Sequence, residues 1–190
     1  MKILTIGTDG FLGSWVNKLL QSEHSNFQIL EIPGKEECDL TEFSEISNYL
    51  KEKSPDIVIN CAAFVGGISY GYKYPVEMLS KNSLMAMNIY KASYENGVKK
   101  LINPISNCAY PAKFTTYKEE DIFNGPPDKS VFNYALSKRL FIQLGQAYFD
   151  QYTFSSANVV LSNMYGPGDH FYAERSHALG AIIKKICDAK

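Results

Sequence analysis

Residues 2–13, Lys2-Ile-Leu-Thr-Ile-Gly7-Thr-Asp-Gly10-Phe-Leu-Gly13, decide the fold. The apolar run Ile3–Ile6 stops at a glycine. From Phe11 to Leu20 the apolar residues Leu12, Val16, Leu19 and Leu20 fall on one side at helical spacing. The stretch therefore reads strand, tight loop, helix. Glycines lack a Cβ, so the loop backbone can approach a pyrophosphate, and a helix N-terminus favours its charge. The spacing is G-x-x-G-x-x-G, and without a ligand the same glycines would serve only as a tight turn.

The alternation continues outward from that loop. Strands are expected at 27–32, at 56–60, beginning at Lys100–Ile102 and reading N-P-I before Ser106, and at 154–161. Helices are expected from a cap at Thr41 to Lys53, at 75–96, 130–151 and 175–189. Nearly continuous apolar strands separated by helices predict an α/β, doubly wound parallel sheet, a Rossmann fold. No repeat or linker interrupts it. The stretch 112–129 is a long loop for a compact domain, which points to function or mobility.

Composition narrows the classes. The chain has 190 residues, 45% hydrophobic and 21% charged, with a net charge of −1. That balance suits one large globular domain and gives no electrostatic case for nucleic acid or a membrane surface. No apolar stretch approaches the ~20 residues that span a bilayer. The start, Met1–Gly7, reads as a first strand rather than a signal peptide. Cys38, Cys61, Cys108 and Cys187 are scattered with no C-x-x-C, which predicts reduced thiols in a cytoplasmic protein and no metal site.

Two further signals concern chemistry. Tyr134 and Lys138 stand four apart in N-Y-A-L-S-K, one helical turn apart on a late helix. A proton donor/acceptor and a cation on the same face suit hydride chemistry at a sugar or alcohol carbon. Glu31 closes the second strand 18 residues after Gly13, where an acid would accept hydrogen bonds from ribose hydroxyls. An acid at a strand end is otherwise simply solvated. Asp9 adds a second carboxylate. At about 5 Å and an effective dielectric of about 20, each would cost a 2′-phosphate about 3 kcal/mol, an effect Lys35 partly offsets. NAD is therefore expected over NADP. Asp39-Leu40 could meet the adenine edge, or Asp39 could be a polar loop residue.

The stretches C-A-A-F-V-G-G-I (61–68), Y-P (74–75) with Asn82, S-N-C-A-Y-P (106–111), Y-A-L-S-K (134–138), N-M-Y-G-P-G-D-H-F (163–171) and S-H (176–177) narrow the reading. With them the chain resembles the extended short-chain dehydrogenase/reductases, the NAD-dependent epimerase/dehydratase family. Within it the likeness is greatest to the GDP-L-fucose synthases, which epimerise C3 and C5 of a GDP-4-keto sugar and reduce C4. The resemblance implies a nucleotide-sugar substrate. Tyr134 would exchange the proton at the C4 oxygen. Lys138 would hold the nicotinamide ribose and lower the tyrosine pKa, and Ser106 would bond the same oxygen. Cys108 and His177 would be the epimerising acid/base pair. Taken without the resemblance, Cys108 reads as a small buried hydrophobe and His177 as a surface histidine. The resemblance also places Gly7, Gly10, Phe11, Leu12, Gly13, Cys61, Ala62 and Ala63 at the cofactor, and Val65, Gly66 and Asn163 at the substrate. A homodimer is implied through the helices 75–96 and 130–151, with Tyr90, Phe141 and Tyr148 as candidates for the seam, of which some must face the sheet instead.

The chain departs from that family in three ways. Members usually use NADPH with arginines near its phosphate, where Asp9 and Glu31 stand here. This leaves open an epimerase that retains NAD and returns its hydride, like the GDP-mannose 3,5-epimerases. Asn103-Pro104 removes a ladder donor from the fourth strand. By the resemblance, residues 1–190 are expected to form the NAD(P)-binding Rossmann domain without most of the family's C-terminal substrate lobe. A nucleotide-binding module without turnover is the rival reading.

Overall fold

The computed structural model describes residues 1–24, 26–169 and 178–189. Five strands, β1 (Lys2–Ile6), β2 (Gln28–Ile32), β3 (Ile57–Asn60), β4 (Lys100–Ser106) and β5 (Ser156–Leu161), form one parallel sheet in the order β2-β1-β3-β4-β5. The helices are α1 (Phe11–Glu23), α2 (Phe43–Lys53), α3 (Ile68–Lys73), α4 (Pro75–Glu95), α5 (Phe132–Tyr152) and α6 (Ala178–Asp188). Strand order reverses at β1: the chain first moves out to β2, then back across to β3. Right-handed crossovers therefore put α1 on one face and α2, α4 and α5 on the other. A crevice opens where the two directions part, beyond the carboxyl ends of β1 and β3.

Burial accounts for the strands. Ile3, Leu4, Thr5 and Ile6 are all buried, as expected of a strand covered on both faces. Leu4, Ile6, Val58, Leu101 and Ile105 join Ile46, Leu50, Ala86, Ile89 and Phe141 in one core. Each of these side chains larger than alanine contributes about 1.5–3 kcal/mol relative to exposure. An aromatic cluster closes the far end of α4 and α5: Tyr94 stacks on Tyr152 at 4.3 Å, and Tyr90 on Tyr148 at 5.4 Å.

Two expectations change, and the proline of the fourth strand finds its place. Tyr90 and Phe141 are 0% and 2% exposed and pack into the core, so these two do not form an outer seam, while Tyr148, stacked against Tyr90, stays partly exposed. Thr41 does not cap α2, whose preceding residue is Glu42. Its amide and hydroxyl both donate to Asp39 Oδ1, at 3.0 and 2.7 Å, and so stabilise a local turn instead. The fourth strand runs on through Asn103-Pro104 to Ser106. Leu101 donates its amide towards β5, so Pro104, three residues on, turns its amide position towards β3. The β3 ladder ends at the pair Ile59–Ile102, just before the position where Pro104 has no amide hydrogen to donate. Asn103 points the other way and donates to Tyr90 Oη and Asn158 Oδ1, at 3.1 and 3.2 Å.

Candidate active site

The loops that follow β1, β3 and β4 line a cleft of about 1300 Å³. Its floor is the glycine loop. Gly7 has φ +81°, a conformation costly for any side chain, and a Cβ there would lie 2.9 Å from the Ala62 amide nitrogen. A Cβ on Gly13 would lie 2.0 Å from the Gly7 carbonyl oxygen. Gly13 therefore does not line the cleft but lets α1 seat against the loop. Gly10 precedes α1 and brings no side-chain cap, so the first amides of the helix have no intrahelical partner. Gly7, Gly10, Phe11 and Leu12 form the cleft wall here. A cradle that side chains would fill, beneath a helix N-terminus, fits a dinucleotide pyrophosphate.

Of the three carboxylates the sequence singled out, two reach one end of the cleft. Asp9, Asp39 and Leu40 line the cleft. Glu31 does not, because strand alternation turns it away from Ile32, which does. Its Oε2 accepts a 2.8 Å hydrogen bond from Asn17 on α1, and its carbonyl accepts one from Tyr49. Asp39 is held by Thr41 and by Lys35 at 2.9 Å, and those hydrogen bonds, the Thr41 hydroxyl first, keep its carboxyl below the usual range.

At the other end four chemical groups converge. Ser106 ends β4, and its Oγ accepts the Cys108 amide at 3.2 Å, which folds a 3₁₀ turn over Asn107–Ala109. That turn, with Tyr134 and Lys138 from α5, brings Ser106, Cys108, Tyr134 and Lys138 to one cleft. Lys138 is 5% exposed, donates to the Pro104 carbonyl at 3.4 Å, and sits 5.6 Å from the Tyr134 ring centre. Burial lowers its pKa to about 8, with Cys61 opposing. Burial pushes the Cys61 thiol up to about 12, with Lys138 opposing. Part of Tyr134 reaches solvent, yet burial of the rest raises its phenol, and Cys108 raises it further. The sequence-based expectation that Lys138 lowers the Tyr134 pKa is therefore corrected: the ammonium lies over the ring and bonds Pro104, and desolvation dominates.

The wall between the two ends is Cys61–Gly66. Asn82, 1% exposed on α4, clamps it by accepting the Phe64 amide and donating to the Phe64 carbonyl, each at 2.9 Å. Asn60 accepts the Ala62 amide at 3.2 Å. Cys61, Ala62, Ala63, Val65 and Gly66 are thus presented to the cleft, as is Asn163 after β5. His177 lies outside the described residues. Sequence reasoning missed Asn60 and the Pro104 carbonyl. A polar residue ending an apolar strand was the available signal for the first, and a backbone acceptor leaves none. Among the described residues no cluster of His, Cys, Asp and Glu could hold a metal, and no helix is long and apolar enough to cross a membrane.

Comparison with known proteins agrees with this fold. Residues 3–190 match the NAD dependent epimerase/dehydratase family. A GDP-L-fucose synthase of Azorhizobium caulinodans is 34% identical over 187 residues, covering 97% of this chain and 59% of that protein. A GDP-L-fucose synthetase from Naegleria fowleri, bound to NADP, superposes with a TM-score of 0.86 at 30% identity, covering 99% of this chain and 62% of that one. A GDP-D-glycero-L-gluco-heptose synthase from Campylobacter jejuni, determined with NADPH, gives a TM-score of 0.89 at 25% identity over 97% of this chain and 54% of that one. The chain thus spans about 60% of the length of the curated relatives it matches.

Proposed function

The chain belongs to the NAD dependent epimerase/dehydratase family, and on that premise we propose that it carries the cofactor half and the catalytic groups of a GDP-sugar epimerase/reductase. The observation that carries this reading is the meeting of Ser106, Cys108, Tyr134 and Lys138 in the cleft floored by the glycine loop. The nucleotide sugar is the proposed substrate, by likeness to the GDP-sugar enzymes above.

Protons alpha to a ketone are acidic because the enolate places its charge on oxygen. Cys108 would take such a proton at C3 or C5, while Ser106 donates to the C4 oxygen. Return of the proton to the opposite ring face inverts the centre, and His177 is the proposed partner. A nicotinamide dinucleotide, when bound, supplies the hydride for C4. Tyr134 would then protonate the C4 oxygen, and Lys138 would hold a ribose hydroxyl beside it. Asp9 and Asp39 at the adenosine end favour NAD over NADP, although matched structures hold NADP(H). Self-association through α4 and α5 is part of the proposal, with Leu84 and Met87 on α4 and Phe149 on α5 exposed for it.

The test uses the protein at the length of its relatives. Cys108→Ser should abolish solvent deuterium exchange at C3 and C5 while cofactor binding stays intact. Tyr134→Phe should leave exchange in place and slow reduction by ~10²–10⁴, the usual worth of a general acid. Wild-type exchange in Cys108→Ser would reduce Cys108 to a packed thiol and leave a plain NAD-linked dehydrogenase or 4-epimerase built on Ser106, Tyr134 and Lys138.

A further inference from the structure

We infer that Lys81 is the cation that meets the diphosphate of the bound dinucleotide, an inference that rests on the cofactor reading above. Four lysines line the cleft: Lys35, Lys81, Lys129 and Lys138. Lys35 is paired with Asp39 at 2.9 Å. Lys138 is buried and bonded to the Pro104 carbonyl. Lys129 stands in the turn before α5, packed near α3 on the Tyr134 side. Lys81 makes none of the ion pairs among the described residues. Its ammonium is held 4.7 Å from the centre of the Phe64 ring.

Its neighbours fix its place along the cleft. Phe64 belongs to the segment that runs against the glycine loop: Cys61 donates to the Ile6 carbonyl at 2.9 Å, and Ala62 abuts Gly7. On α4 the positions 81, 85 and 88 share a face. Met85 lines the cleft, and Asn88 donates to the Leu40 carbonyl at 3.0 Å. Lys81 therefore projects between the glycine loop and the Asp39-Leu40 wall, at the middle of a dinucleotide rather than at its nicotinamide end. Charge demands a cation there. A diphosphate brings about two negative charges, Asp9 adds another while Lys35 offsets Asp39, and the α1 N-terminus offsets only about half a unit.

The experiment is a calorimetric titration of wild type, Lys81→Met and Lys81→Arg with NADH, ADP-ribose, adenosine and GDP. Lys81→Met should bind NADH and ADP-ribose about tenfold more weakly, as expected for one semi-exposed ion pair. It should leave adenosine unchanged and flatten the salt dependence of NADH binding. Lys81→Arg should retain wild-type affinity within about twofold. Position 81 is exposed, so matching melting curves for the three proteins are expected. Unchanged NADH affinity in Lys81→Met overturns the inference. So does an equal loss for adenosine, which would mean contact with the base, or a loss confined to GDP, which would move the charge to the substrate's diphosphate. A wild-type protein that fails to bind NADH removes the cofactor reading itself. Binding by wild type with no defect in Lys81→Met removes only the role of Lys81.

Discussion

Replacing Lys138 by Met should flatten the rise of stability with alkaline pH. Burial depresses the Lys138 pKa from 10.5 to about 8, so between those values the unfolded chain binds the proton that the folded chain has released. Stability therefore rises with pH across that window, and the burial penalty is fully present below about pH 8. The shift corresponds to about 3 kcal/mol in total, of which about 1 kcal/mol falls between pH 7 and pH 9. Met fills similar volume without the charge. The hydrogen bond to Pro104 is long at 3.4 Å, so its loss offsets the curve without tilting it. Urea unfolding of both proteins from pH 7 to pH 9.5 isolates the slope. Cys61 and Tyr134 have raised pKa values and titrate in both proteins, so their contribution largely cancels in the difference. Wild type should gain on Lys138→Met by about 1 kcal/mol over the first two pH units. Parallel profiles would refute the reasoning, because they would mean the ammonium is solvated rather than buried.

Other perturbations bear on the cradle, the cofactor and the assembly. Gly13→Ala places a Cβ 2.0 Å from the Gly7 carbonyl oxygen, so it should cost about 1–3 kcal/mol in urea unfolding and weaken NADH binding with it. Asp9→Ala should narrow the preference for NADH over NADPH in calorimetry, whereas Glu31→Ala should not, because Glu31 faces Asn17. Light scattering at high concentration should report a dimer, and Leu84→Glu on exposed α4 should convert it to monomer.

The fold was legible because β1 and the glycine loop carry both signals of a doubly wound sheet, an apolar strand and a helix opening on glycines. The helix α3 was not, since Ile68–Lys73 is too short to show a period and has no buried residue. Cleft membership followed wherever local context fixes direction. Tyr134 and Lys138 share a helix face, and Ser106 and Cys108 share a turn. Glu31 failed for the same kind of reason: its position at a strand end was readable, but which face it takes depends on register with β1, where Thr5 is its partner. The face of Tyr90 and Phe141 was equally hidden. Both α4 and α5 are apolar on more than one side, so only packing decides which aromatic enters the core. The Lys138 pKa required burial that no spacing reveals.

Every role proposed above needs this cleft to hold a dinucleotide. Calorimetric titration of the purified chain with NADH and NADPH should show one saturable site per chain, tighter for NADH. Absence of saturable binding for either dinucleotide would contradict those roles.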